Sequence, residues 1–460
     1  MSAPSNFLPP FPAYFEPETG KYWIQDSSGR WIKIDLTSLR LHLKKAGFST
    51  NRRDDDPLSS IDAEILRIQV EANLAYAGPL AGFRAGVHLI CENRVLVTTS
   101  PTLIEPKSGE WLVLSQFLLN LLTSEGVDQR PYFFGWCKVA FEALRLGIRR
   151  PGQALAFAGP RGCGKSLLQN FITILFGGRV AKPYRYMIGS TNFNGELLGT
   201  EHLMIEDESA STDMRSRRHF GSRIKDVTVN QVQSCHPKNR QAISLTPFWR
   251  LTISVNDESE NLMVLPPIDE SLEDKIILFK AYKLPLPLPT GTDAERERFW
   301  ETLIGELPAF LHFLVNYQIP EELKSERFGV THFHHPELLR ELGLLSPENR
   351  LLALIDGEIS FRQENCVSFN EDSGSNEPRT WVGTAEKLEG RLCAHDSTNS
   401  HQARLLLSWT NACGTYLGRL ARSRPDRVSE RRTNSARLWE IQPPCPGGTS
   451  RAPGDESVTP

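Results

Sequence analysis

The stretch from residue 154 to residue 178 constrains the fold of this chain more than any other. An apolar run, Ala154-Leu-Ala-Phe-Ala158, leads into Gly159-Pro-Arg-Gly-Cys-Gly164-Lys165-Ser166, a complete G-x4-G-K-S. A helix-periodic stretch, residues 167–176, follows and stops at Gly177-Gly178. Strand, glycine-rich loop and helix in that order are the context in which the pattern works as a phosphate cradle. Glycines let consecutive amides curl around phosphate oxygens, and the helix N-terminus adds positive potential. The expected nucleotide contacts are Gly159, Pro160, Arg161, Gly162, Cys163, Gly164, Lys165, Ser166 and Leu167. Lys165 would reach the terminal phosphates and the Ser166 hydroxyl would ligate Mg²⁺. ATP and Mg²⁺ are therefore the expected cofactors.

Such a loop needs an acidic partner to position the metal and polarise water. The run His202-Leu-Met-Ile205 ends in Glu206-Asp207-Glu208. An apolar strand delivering carboxylates at its C-terminal end puts them beside the loop in a parallel sheet. Glu206 and Asp207 are the expected metal-ligand and general-base pair, and Glu208 can replace either. A third apolar run, residues 250–255, ends in Asn256-Asp257. Asn256 there can sense the terminal phosphate and orient the lytic water.

The rest of the chain brackets this core. Aromatic runs around an Asp26–Arg30 turn predict a hairpin in an N-terminal aromatic, β-rich region, residues 1–57. Residues 58–150 predict a collar-like region with helices near 59–77, 111–122 and 132–146 and short strands between 83 and 104. The ATPase core is expected over 151–290 and a helical continuation over 291–365. Residues 366–379 are polar and poor in aromatics, so they predict a linker; 380–443 predicts a small separate domain, and 444–460 a disordered tail.

Composition sets outer limits. With 40% apolar and 23% charged residues, the chain has ordinary globular make-up, which excludes collagenous, disordered and disulfide-dense classes. Its eight cysteines, at 91, 137, 163, 235, 366, 393, 413 and 445, contain no C-x-x-C pair. That argues for reduced thiols and a cytoplasmic location. No apolar run approaches the ~18 residues of a membrane span, and no secretory leader is expected in residues 1–11. The balance of 52 Lys+Arg against 55 Asp+Glu, a net −3, argues on average against nucleic acid. The average conceals residues 401–440, where eight arginines face three acids.

Taken in order, the three strand tips resemble superfamily 3 helicases of the D5-like phage and plasmid primase-helicase kind. The resemblance extends over roughly residues 60–355 and includes Ala81-Gly-Phe-Arg-Ala-Gly-Val-His and Trp249-Arg-Leu-Thr-Ile-Ser-Val-Asn-Asp-Glu. It implies an AAA+-like P-loop NTPase core of the α/β class and an ATP-dependent DNA helicase acting as a homo-hexameric ring. Active sites would lie between subunits. It also implies a Lys-containing segment, here Arg223-Ile-Lys225, and a hairpin that grips single-stranded DNA. That hairpin falls at Ser234-Cys-His236-Pro-Lys238-Asn-Arg240, so His236, Lys238 and Arg240 are the expected contacts, a polar turn being the plainer reading. Where the family offers an arginine finger to the neighbouring subunit, this chain has Lys275, with Arg217 and Arg218 as rivals. Lysine lacks the guanidinium fork. The region before the P-loop shows no paired-carboxylate and histidine constellation for primer synthesis, so a separate primase or polymerase is the expected partner.

The segment 380–443 predicts a winged helix: a strand, two helices and a third over 415–423, then strands over 427–432 and 436–441 joined by 433–435. Such a module lays a helix in the major groove of duplex DNA while wing arginines hold phosphates. Arg419, Arg422, Arg431 and Arg432 are the expected contacts, a protein-binding winged helix being the alternative. His332-Phe-His334-His335 lacks companion ligands at metal spacing and is expected to cap a helix start before Pro336. The rival functions are a nucleotide-switched regulatory or defence ATPase and a DNA-binding initiator with weak ATPase activity. A small-molecule kinase is disfavoured, since no lid or acceptor pocket is visible.

Overall fold

The computed structural model describes residues 10–52, 56–124, 126–206, 214–238, 241–358, 380–397, 399–433 and 436–444. The expected linker, Asp207, Glu208 and Arg240, and the tail beyond residue 444 lie outside the described residues. Residues up to Leu338 form one compact unit and those from Leu339 a second, Met214 grouping with the second.

The first unit opens with an antiparallel meander, β1 (Ala13–Glu16), β2 (Lys21–Gln25) and β3 (Trp31–Ile34). Its expected tight turn is locked by Asp26, whose carboxylate accepts bonds from the Ser28 hydroxyl and the Arg30 and Ser28 amides. These bonds hold its pKa down to about 2. Helices α1 (Leu36–Lys45) and α2 (Ser60–Glu71) start where Asp35 and Ser59 accept bonds from first-turn amides. They bury Leu39, Leu43, Ile61, Ile65 and Ile68 against Tyr22 and Ile24. A second small sheet has the order β4-β6-β5, from β4 (Tyr76–Gly78), β5 (Gly86–Ile90) and β6 (Asn93–Val97).

Next come α3 (Leu112–Leu122), the two-residue strands β7 (Thr123–Ser124) and β8 (Val127–Asp128), and α4 (Arg130–Leu146). Thus α2 packs with the N-terminal sheet, whereas α3 and α4 join the central core. There Phe117, Leu121, Trp136 and Phe141 meet Leu155, Phe157, Phe171 and Phe279.

The central elements run β9 (Ala154–Ala158), α5 (Lys165–Leu175), β10 (Val180–Ala181), α6 (Tyr184–Met187), β11 (His202–Glu206) and α7 (Met214–Val229). They continue through β12 (Gln233–Cys235), β13 (Ile243–Leu245), β14 (Arg250–Val255), α8 (Ser259–Leu262) and β15 (Ile276–Lys280). Five of these strands pair in parallel in the order β10-β11-β14-β9-β15. Both faces are covered, so β9 and β14 are buried at every residue, as wholly internal parallel strands must be. After β9 the chain crosses to the far edge and fills inward, then returns past β9 to place β15. The loop after β9 therefore opens at the sheet's switch point, where ligands of such sheets bind.

Helices α9 (Asp293–Gly305) and α10 (Leu307–Asn316) close the core through Phe299, Leu303 and Phe310, and α11 (Pro336–Leu344) follows. The histidines before α11 dock on β15: the His335 amide donates to the Leu278 carbonyl and the His334 ring bonds the Ile276 carbonyl. No metal-binding cluster of His, Cys, Asp and Glu occurs among the described residues.

In the second unit, α12 (Pro347–Gly357) packs with a strand–helix–helix–helix–strand–strand array. Its elements are β16 (Trp381–Gly383), α13 (Ala385–Leu392), α14 (Ser400–Leu406), α15 (Ala412–Ser423), β17 (Val428–Arg432) and β18 (Arg437–Ile441). The strands form an antiparallel sheet of order β16-β18-β17. Its core holds Leu351 and Ile355 of α12 with Trp381, Tyr416, Leu417, Leu420 and Trp439. Helix α12, within the span read as ATPase continuation, belongs to this core. No helix among the described residues is long and apolar enough to cross a membrane.

Candidate nucleotide site and nucleic-acid interface

The loop after β9 is shaped by two backbone necessities. A side chain at Gly159 would strike the Ala281 carbonyl oxygen at 2.2 Å, because β15 continues past β9 at that point. Gly164 has φ +108°, and a Cβ there would press on Phe117 of α3 at 3.0 Å. Glycine meets both requirements at once. At the end of the loop Lys165 is buried, 6% exposed, and its ammonium donates to the Gly159 carbonyl at 2.7 Å and the Pro160 carbonyl at 2.9 Å. It also reaches Asn256 Oδ1 at 3.2 Å. Thus two of the expected strand tips touch: β14 lies beside β9, and Asn256 follows its last residue.

The third tip is one strand further out. Glu206 ends β11 opposite Ser254 of β14, and its carboxylate is engaged by the Lys182 ammonium, just past β10. Lys182 had no sequence signal beyond its position after a short strand. The hydroxyl of Ser166 and the carboxylate of Glu206 are hard oxygen donors, which suits Mg²⁺. Expected partner Asp207 falls outside the described residues.

Helix α5 is fixed on the sheet by a buried polar network. Gln169 donates to the Ile205 carbonyl at 3.1 Å and the Thr252 hydroxyl at 2.8 Å. His202 is bonded between the hydroxyls of Thr173, 2.7 Å, and Thr252, 2.8 Å. Burial drives the His202 pKa down to about 3, so the ring is neutral and its two nitrogens serve one donor and one acceptor role.

A cavity of about 350 Å³ opens over the loop. Arg161, Gly162, Gly164, Lys165, Ser166, Leu167 and Asn256 form one wall, and Leu286, Thr290, Arg296 and Phe299 the other. The first set was legible in the motif. The second comes from the segment after β15 and from α9, which bear no motif; only the capping box of Thr292 and Glu295 marked where α9 begins. Arg296 brings a second cation, its guanidinium bonded to the Thr290 carbonyl at 3.0 Å and paired with Asp293. Glu258 stands near Lys165; bonds from its own amide and from Asn261, with help from that ammonium, keep its carboxyl below the usual range.

Lys275 lies elsewhere. It precedes Ile276, which pairs with Ala154 at the start of β9, while the P-loop follows Ala158 at the end. Five strand residues, roughly 16 Å, separate Lys275 from its own loop. Its ammonium is held by Asp274 at 2.5 Å, and Asp274 also takes Arg327 at 2.9 Å. Of the rival fingers, Arg218 is exposed, whereas Arg217 is buried and donates to the Leu265 carbonyl at 3.0 Å.

The expected hairpin is present as β12 and β13. Lys238 is exposed near its tip. His236 is tied down: its amide donates to Asn194 Oδ1 at 2.7 Å and its ring meets the Phe193 ring edge-on. In the second unit, three of the four expected DNA-contact arginines are paired. Arg419 meets Glu348 of α12 at 3.5 Å, Arg431 meets Glu440 at 3.5 Å and Arg432 meets Glu430 at 2.8 Å. Arg422 bonds only the Gly418 carbonyl, at 3.3 Å, among the described residues.

The sheet order and the loop at its switch point define a P-loop NTPase-like α/β core. A family model described as a family of unknown function (DUF5906) matches residues 157–271. Two structures of the apo NrS-1 C-terminal region resemble the chain with TM-scores of 0.50, at 14% and 15% identity, each covering 93% of this chain and 95% of that one. That likeness concerns the fold. An active helicase, SCCmec type IV Cch, has a TM-score of 0.31 at 11% identity over 89% of this chain and 72% of that one, too distant to carry an argument. The comparison with curated proteins found no match.

Proposed function

We propose that the chain is an ATP-hydrolysing DNA helicase of a phage, prophage or plasmid-type replication system, working as a homo-hexameric ring on single-stranded DNA. The observation that carries this reading is the Lys165–Asn256 contact inside the cavity over the P-loop, with the Glu206 strand adjacent. On phosphate arrival, the Lys165 ammonium exchanges the Gly159 and Pro160 carbonyls for phosphate oxygens. Asn256 orients the attacking water, and Glu206 or Asp207 takes its proton. Ser166, with whichever of Glu206 and Asp207 is not the base, would hold Mg²⁺, which would neutralise phosphate charge.

Lys275 lies far from its own loop, so as a finger it would act on a neighbour's site. The hairpin with Lys238 and Arg240 would track the single strand. The second unit, whose element order suits a winged helix, would anchor the ring on duplex through Arg419, Arg422, Arg431 and Arg432. The chain would work in the cytoplasm beside a separate primase or polymerase.

Strand displacement on a forked duplex, with particle images of the ATP-bound protein, tests this. The reading expects unwinding and six-fold rings. A second reading, a nucleotide-switched regulatory ATPase, is favoured by the Asp274 grip on Lys275. It expects ATP-dependent assembly without unwinding.

A further inference from the structure

Away from the nucleotide cavity, three arginines gather at the opposite end of the central sheet. Arg250 begins β14, and Arg149 and Arg150 precede β9. Arg250 is 2% exposed. One guanidinium nitrogen donates to the Trp249 carbonyl at 2.9 Å, another has no hydrogen-bond partner, and the group lies over the Phe248 ring at 4.3 Å. Gly152 is what allows it to fit: a Cβ there would fall 2.3 Å from the guanidinium carbon. Arg149 is half-buried and donates to the carbonyls of Asn230 and Pro247, the residues flanking the β12–β13 hairpin. Arg150 is exposed.

None of the three has an acidic partner among the described residues. Glu201, a buried acid whose backbone carbonyl accepts the Arg250 amide at 2.9 Å, has its carboxylate committed to Arg179 and the Gly82 amide. Burial and the mutual repulsion of these charges push Arg250 down to about 9, and burial brings Arg149 to about 10. Burying an unpaired cation is costly, and a cluster of them more so. The cluster adjoins the root of the hairpin, where Arg149 donates to the Asn230 and Pro247 carbonyls.

We infer that this cluster is a phosphodiester-binding site at the hairpin root, with Arg150 as the direct contact and Arg149 and Arg250 supplying field and position. It rests on the reading of the chain as a DNA-acting ATPase, since it adds a second grip to a strand that the hairpin tip would hold. The fork of Arg149 already spans both hairpin ends, so phosphate drawn to Arg150 and hairpin position are mechanically linked.

The test is anisotropy of a fluorescein-labelled oligothymidylate over a salt series, using the full chain. Wild type is compared with Arg150→Ala, Arg149→Gln combined with Arg150→Ala, and Lys238→Ala, circular dichroism serving as the folding control. Arg150→Ala should weaken binding several-fold and lower the salt slope by about 0.7, and the double variant should weaken binding further with little additional change in slope. Unchanged slopes in folded variants of a protein that binds the oligonucleotide overturn the site and leave the helicase reading standing. A wild-type protein that ignores the oligonucleotide overturns both. Saturable binding of inorganic phosphate that is lost in Arg150→Ala, with oligonucleotide slopes unchanged, marks a free-anion site and also overturns the assignment.

Discussion

The arginines of the second unit and those at the hairpin root handle charge in opposite ways. By count, residues 401–440 are one basic part of the chain, with eight arginines against three acids, and residues 145–184 are another, with seven Lys and Arg and no acid. In space, the excess of the first is largely answered. Arg419 meets a glutamate from α12, outside the counted span, and Arg431, Arg432 and Arg437 share Glu440 and Glu430. The hairpin root draws Arg149 and Arg150 from that second, acid-free span and leaves all three of its arginines without an acidic partner among the described residues. Local charge along a sequence measures supply; the field depends on which acids the fold brings alongside.

The comparison breaks most visibly at Arg427. It is the most buried paired arginine of the second unit, bonded to Asp356 at 2.5 Å and to the Gln442 carbonyl at 3.1 Å. Arg427→Ala removes the buried guanidinium and its charge-assisted bond to the exposed Asp356 and should cost about 1.5–3 kcal/mol, read as lost hydrogen-exchange protection in α15 and β18. Protection unchanged would mean that pairing contributes little to this unit.

Gly152→Ala probes the unpaired side. Overpacking against the Arg250 guanidinium should cost about 1–3 kcal/mol, and Arg250→Ala should relieve most of it in the double variant. Additive losses would show that the two residues do not share the space assigned to them.

How much of this was legible beforehand follows from distance along the chain. The strand, loop and helix around Lys165 and the strand ending at Asn256 could be read because each is a local pattern. The order β11-β14-β9, which lets Asn256 touch Lys165, could not, since parallel pairing is non-local. Leu286, Thr290, Arg296 and Phe299 reach the cavity only through the fold. The strand–helix–helix–helix–strand–strand order of the second unit was visible from turn and helix spacing, but the Glu348 partner of Arg419 was not. The arginine cluster stayed hidden because Arg149 and Arg150 lie far from Arg250 in sequence.

His202 marks a third way to bury a basic group: keep it neutral. Its pKa is about 3 in the fold against 6.5 when free. Between those values the unfolded chain takes a proton that the native ring refuses, so stability falls as pH falls below 6.5. The slope approaches about 1.4 kcal/mol per pH unit. Denaturant unfolding from neutral to mildly acid pH should show that loss, and His202→Gln should flatten it. An unaltered slope in the variant would assign the acid sensitivity elsewhere.

The smallest effect concerns the paired strands β17 and β18. If Glu430 competes with duplex phosphate for Arg432 and Arg437, Glu430→Gln should tighten duplex binding about two- to fourfold, and Arg422→Ala should weaken it. Duplex affinity that falls in Glu430→Gln would instead make the pairs part of the binding surface.

ATP hydrolysis by the full chain, with and without single-stranded DNA, for wild type and Lys165→Ala, tests the central claim most directly. The account predicts hydrolysis by wild type that rises on adding the single strand, and a loss of about 100-fold or more in Lys165→Ala. Hydrolysis indifferent to DNA, or undiminished without the Lys165 ammonium, would contradict it.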